Sequence, residues 1–184
     1  AAVIDAPSDR QAPPFLNGLR QKPEHLADLR AVIAWARGHT KGPVWLVGTR
    51  RGTQSAAFAA TELAPPAGPD SIVLTATILA DDASRAVPKM PLDVPVLVVH
   101  HEEDGCKHCA PADLPRLMAR LGGVPRHELI TFKGGTDSGD PCEPKAHHGC
   151  AGQEREVVDR IVAWMFAAPS SAPPASPPSP PSQP

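Results

Sequence analysis

Apolar residues along this chain fall into short runs separated by longer stretches in which they recur at helical spacing, the pattern of alternating strands and helices rather than of hairpins. The run Ala2-Val3-Ile4 reads as a strand ending at Asp5. After a Pro/Gly/Asn loop, Pro23 suits the first turn of a helix whose apolar face is Leu26, Leu29, Ile33 and Trp35, and which Gly38 ends. Val44-Trp45-Leu46-Val47 is short and apolar enough for a strand covered on both faces. An Ala-rich helix from about Arg51 to Ala60 suits close packing on a sheet.

Further strands are expected at Ser71 to Thr75, Pro95 to His100 and Glu128 to Phe132. A helix between Pro111 and Leu121 would turn Leu114, Leu117, Met118 and Leu121 inward. A last helix, Gln153 to Phe166, would bury Val157, Ile161, Val162 and Trp164 or Met165. The expected fold class is therefore α/β, an open and mostly parallel sheet of about five strands with flanking helices. Sites in such sheets lie beyond the carboxyl ends of the strands.

Composition narrows this picture in three ways. A length of 184 residues fits one domain, expected over 1–167. The stretch Pro169 to Pro184 holds eight prolines among Ser and Ala, so 168–184 reads as a disordered tail or linker. A formal net charge of -2, with both signs mixed along the chain, offers no field for gathering nucleic acid or coating an anionic membrane. Apolar runs also fall short of the roughly 20 residues that cross a bilayer. The expected partner is a small molecule, with no nucleic acid and no membrane, and no pattern assigns an oligomeric state. The chain starts at Ala1 without Met or a charged leader region, as a processed or truncated product would.

The chemistry-bearing stretch is Val44-Trp45-Leu46-Val47-Gly48-Thr49-Arg50-Arg51-Gly52-Thr53. It is an apolar strand, a Gly-x-x-x-Gly turn and a helix. Small residues two before and two after the tip let the backbone bend sharply and lift the tip side chain over the helix N-terminus. From Ala2 to about Phe166 the chain resembles the α/β-hydrolase family of serine hydrolases and esterases, with this turn in the place of the nucleophile elbow.

That resemblance implies the chain order nucleophile, acid, base. It places Asp104, after the strand ending at His100, as the acid, with Glu102 and Glu103 as runners-up. It places His148, between the last strand and last helix, as the base, with His147 as runner-up. In a working triad the histidine takes the nucleophile's proton while the carboxylate fixes its tautomer and stabilises the imidazolium. The resemblance would put Ser, Cys or Asp at position 50. Arg50 stands there, a group that stays protonated and cannot attack a carbonyl carbon. Thr49, Thr53 and Ser55 point elsewhere on the turn or helix.

One oxyanion donor is expected from the Arg51 amide. The second would come from a loop after an earlier strand, and the amino-terminal strands that carry such a loop are not in the sequence. The loop from Ala76 to Asp93 is too short for a large lid. The resemblance thus implies ester or acyl hydrolysis, expected here to be lost or much reduced, and no cofactor. Arg50, with Arg51 beside it, can serve an anionic ligand in a noncatalytic binding protein, or pair with Asp104. The ion-paired, inactive arrangement is the expected one.

Four cysteines, Cys106, Cys109, Cys142 and Cys150, leave three readings. Cys106-Lys107-His108-Cys109 between a strand and a helix fits a thioredoxin-like redox pair. Zinc held by the four cysteines, or by three and His148, has the right ligand number but poor spacing in its second half, so no metal is expected. The favoured reading is structural: a bridge from Cys106 or Cys109 to Cys142 would staple the acid loop to the histidine loop. That implies a periplasmic or secreted protein.

Overall fold

The computed structural model describes residues 1–13, 15–79 and 93–167. The proline-rich tail and most of the loop between Ala76 and Asp93 lie outside the described residues. Four strands, β1 (Trp45–Thr49), β2 (Ser71–Thr75), β3 (Val96–His101) and β4 (His127–Phe132), form one sheet. They lie in the order β1-β2-β3-β4, and every pairing is parallel. Parallel neighbours need crossover connections. Helix α2 (Gly52–Glu62) supplies the first, and α3 (Leu114–Arg120) the one between β3 and β4. Helix α1 (Pro23–His39) precedes the sheet and α4 (Glu154–Phe166) follows it.

The two-residue period of the strands divides the core into two layers. On one face Leu46, Ile72, Leu74, Val96 and Val98 meet residues of α1, α2 and α3. Ala56, Ala57, Ala59 and Ala60 let α2 lie close against this face. On the other face Val73, Leu97, Val99, Ile130 and Phe132 meet Ile161 and Trp164 of α4. Ile72, Val73 and Leu74 are fully buried, each worth about 1.5–3 kcal/mol over exposure, which is why so short a strand holds the centre of the sheet.

Several expectations need correction. Ala2 to Ile4 form no strand, and Val3 is fully exposed. Three apolar residues close too few ladder bonds to hold a strand without burial of their side chains. The sheet therefore has four strands among the described residues rather than about five. β1 is not covered on both faces: it is an edge strand of the described sheet, Trp45 meets Trp164 of α4 edge to face, and Val47 is 54% exposed.

Two helical faces are also rotated from their expected positions. In α1 the buried positions are His25, Leu29 and Ile33, four residues apart, whereas Trp35 lies off that face, exposed and with its ring tilted against that of His39. In α4, Val162 is displaced by about 100° from Ile161 and is exposed, while Ile161 and Trp164 are buried. The helix expected between Pro111 and Leu121 is a composite. A 3-10 turn (Pro111–Asp113), α3 and a second 3-10 turn (Leu121–Gly123) follow one another, with Leu114, Leu117 and Leu121 still buried.

Candidate active site

Beyond the end of β1 the chain turns sharply into α2. Arg50 takes a left-handed conformation (φ 49°), and its amide donates to the Thr75 carbonyl (3.0 Å), extending the β1–β2 ladder by one residue. A non-glycine residue rarely adopts this conformation, and here the turn enforces it. The Arg50 carbonyl accepts from the Thr53 amide at 3.0 Å and from the Thr53 hydroxyl. Gly48 allows the close return of the chain, because a Cβ there would lie 2.5 Å from the Gly52 carbonyl oxygen. The backbone is that of an elbow with Arg50 at its tip.

The other half of the site hangs from β3 and β4. Asp104 follows β3, fully buried in its side chain. Its Oδ1 accepts from the Cys106 amide (2.8 Å), and its Oδ2 accepts from His148 Nδ1 (2.9 Å). His148 lies in a 3-10 turn, His147–Gly149, that Cys150 ends in a left-handed conformation (φ 52°). Gly149 is needed in this turn, since a Cβ would run into the Pro144 backbone. With Nδ1–H given to the carboxylate, the lone pair of His148 sits on Nε2, which is buried and without a hydrogen-bond partner.

Sequence reasoning passed over His100, a fully buried residue near the end of β3. Its Nε2 donates to the Cys109 carbonyl (2.8 Å) and lies 3.4 Å from Asp104 Oδ2. Burial holds its pKa below the usual histidine value, outweighing the upward pull of the Cys109 carbonyl and then of Asp104. A polar residue inside a run of fully buried apolar positions was the available signal.

The remaining candidates fall outside this cluster. Glu102 and Glu103 are exposed, and Glu102 accepts from Thr131 (2.9 Å). His147 stacks on His101 at 4.3 Å, and its Nδ1 lies 3.9 Å from Asp137. Thr49 bonds Thr75 (2.7 Å), and Ser55 bonds His25 (2.9 Å) and Arg20 (3.1 Å), so no hydroxyl of the elbow or of α2 reaches His148. The expected ion pair between Arg50 and Asp104 is not formed. Asp104 is already occupied by His148 and the Cys106 amide, and Arg50 Nε is buried with no partner. The Arg51 amide donates to no carbonyl of the described turns.

Cys106 is joined to Cys142, 36 residues on, which ties the acid loop to the loop that leads to His148. The bond removes two of the four thiols of the zinc alternative, and Cys106 is bonded to Cys142 rather than to Cys109, as a thioredoxin-like pair would require. The uniformly parallel sheet also lacks the mixed strand directions of that fold. A second cluster of metal-ligating groups, His101, Glu103 and His147, is spoken for at His101. That ring's Nδ1 accepts from the Glu103 amide (3.0 Å) and its Nε2 donates to the Gly134 carbonyl (2.9 Å).

No family model and no curated protein matches the chain. Solved structures do. MGS-M1, an α/β hydrolase enzyme from a Medee basin deep-sea metagenome library, superposes with a TM-score of 0.56 at 15% identity, covering 86% of this chain and 66% of that one. XC6422 from Xanthomonas campestris, an α/β serine hydrolase without lid, gives 0.53 at 17% identity, with 86% and 61% covered. The chain thus spans less than two thirds of the length of either. It has the α/β-hydrolase fold.

Proposed function

We propose that this is a protein of esterase-like ancestry whose nucleophile–His–Asp hydrolysis is lost or much reduced because residue 50 is arginine. In this reading Asp104 and His148 are the surviving acid and base, and the Arg51 amide is an oxyanion donor. The observation that carries it is the pairing of an elbow backbone, Arg50 at φ 49°, with a buried His148 Nε2 that no hydroxyl or thiol engages. Loss of a triad nucleophile costs on the order of a million-fold in turnover.

The test is the Arg50→Ser variant assayed on p-nitrophenyl esters. Hydrolysis gained in that variant and absent when His148→Gln is added supports the reading. A variant as inactive as the native chain contradicts it. The disulfide is in keeping with a periplasmic or secreted location.

A second reading is favoured by one observation, the unpartnered Nε of Arg50. Arg50 lines a cleft of about 370 Å³ together with Lys107, His108 and the Cys142 end of the disulfide. A carboxylate or phosphate there would pair with the Arg50 guanidinium and Lys107 against the opposing carboxylates of Asp140 and Glu143, which line the same cleft, making the protein a noncatalytic binder of small anions. Calorimetric titration with acetate and phosphate separates the readings: binding lost in Arg50→Ala favours this one, and no binding excludes it.

A further inference from the structure

Cys109 is the residue of this region that the hydrolase reading does not use. Its side chain is fully buried, so no solvent-borne substrate meets its sulfur directly. Its thiol donates to the Ala76 carbonyl at 3.3 Å, a bond it must give up to react, and Cys109 Sγ, Cys106 Sγ and a ring nitrogen of His148 all lie within 4.8 Å of one another. One neighbour is the electrophilic sulfur of a disulfide, and the other belongs to an imidazole whose Nε2 is buried and unpartnered.

We propose that Cys106, Cys109 and Cys142 form a thiol–disulfide exchange site in which Cys109 displaces Cys142 from Cys106 and His148, held by Asp104, takes the proton. The Cys109 S–H bond gives its proton to His148 Nε2, and its sulfur electron pair forms a bond to Cys106 Sγ. The Cys106–Cys142 bond breaks as Cys142 leaves with its electron pair, and the imidazolium returns the proton to that thiolate through solvent. One disulfide replaces another, and no oxidant or reductant is consumed.

A base is needed here. Burial, and then the negative charge of Asp104, push the Cys109 thiol up to about 12 against the opposing pull of Arg50 and Arg51, so it is protonated at neutral pH. His148 is in place for that task whatever residue stands at the elbow, so this chemistry does not depend on the hydrolase reading.

The product differs from the starting state in a way the protein's surface would register. Cys142 is partly exposed and lines the cleft beside Arg50 and Lys107. Displaced, it becomes a cleft-facing thiol, with Arg50 and Lys107 but also Asp140 and Glu143 lining the same cleft. It is then a modification site for small thiol-reactive electrophiles, including low-molecular-weight disulfides. The two catalytic-order loops also lose their covalent tie.

The experiment is alkylation of the native, unreduced chain with N-ethylmaleimide at pH 8, acid quench, tryptic digestion and mass spectrometry. Lys107 lies between Cys106 and Cys109, so cleavage after it distinguishes a Cys106–Cys109 link from a Cys106–Cys142 link. The site as assigned gives Cys142 alkylated together with a Cys106–Cys109 peptide pair. Cys109→Ser abolishes that alkylation, and His148→Gln slows it by about a hundredfold, the worth of a positioned base. An intact Cys106–Cys142 pair with Cys142 unalkylated overturns the exchange. Alkylation of Cys142 that persists in Cys109→Ser, or that is as fast in His148→Gln, overturns the roles given to those residues.

Discussion

At the turn between β1 and α2 the backbone has the sharp bend of an elbow, and under the proposed function the side chain at its tip is the part that does not suit nucleophilic catalysis. Gly48 permits the close return of the chain, Arg50 is held at φ 49°, and a guanidinium projects where a hydroxyl or thiol would be expected. At the ends of β3 and β4 the side chains are intact and their loops are fastened together. Asp104 and His148 meet at 2.9 Å with both groups buried, and the Cys106–Cys142 bond holds the two loops in place. The difference teaches that the geometry of a site and its chemistry are stored separately. Ladder bonds and glycines specify the turn whatever residue is at its tip, whereas reactivity rests on that one side chain.

The comparison breaks first at residue 50. If the two halves are otherwise complete, Arg50→Ser raises ester hydrolysis on the order of a thousandfold or more over the native chain, read as kcat/KM on p-nitrophenyl acetate. Adding His148→Gln returns it to background.

The next test concerns the fastening of the acid–histidine half. Opening the Cys106–Cys142 bond with dithiothreitol lowers the unfolding free energy by about 4 kcal/mol, as expected for a bridge closing a loop of this size. Urea titrations with and without the reductant measure it. An unchanged midpoint means the loops hold without the staple.

Somewhat less is expected from Gly48→Ala, which forces a Cβ against the Gly52 carbonyl and costs about 2–3 kcal/mol. A fully stable variant shows that the elbow backbone can relax.

The smallest effect lies at the rim of the elbow half, where Arg37 donates to the Pro66 and Gly68 carbonyls and to Asp70 (2.9 Å). Partial burial pushes the Asp70 carboxyl up, but the Arg37 bond and the Val44 amide outweigh it and hold the pKa below the ordinary value. A depressed carboxylate stabilises the fold above its unfolded pKa of about 3.9. That contribution disappears as pH falls through the lower, folded value. Arg37→Met therefore weakens the acid-side loss of stability, measured as Tm between pH 6 and pH 3. An acid limb identical to that of the native chain contradicts the assignment.

Much of this was legible in the sequence because it depends on local pattern. β2 begins and ends at the residues its apolar run marks, and β3, β4, α1, α2 and α4 lie within one or two residues of expectation. The glycine spacing marked the sharp turn at Arg50. The loop positions after β3 and before α4 pointed to Asp104 and His148, which the structure brings to 2.9 Å; the catalytic roles read into them belong to the proposed function.

What escaped depends on contacts between distant residues. The apolar triplet at residues 2–4 had the composition of a strand but pairs with no strand. Trp35 and Val162 are apolar but sit off the buried faces of their helices. The Arg50–Asp104 ion pair was plausible by charge alone, but fails because the carboxylate's oxygens are already taken by His148 and the Cys106 amide. His100 and the nearness of Cys109 to the disulfide become visible only once the loops are brought together.

The central claim is that the site lacks a nucleophile and nothing else among Arg50, Asp104 and His148. Intact-mass spectrometry after incubation with a fluorophosphonate tests it most directly, because the reagent modifies only a serine activated by a neighbouring base. The account predicts no adduct on the native chain, one on R50S, and none on R50S carrying His148→Gln. An adduct on the native chain, or none on R50S, contradicts it.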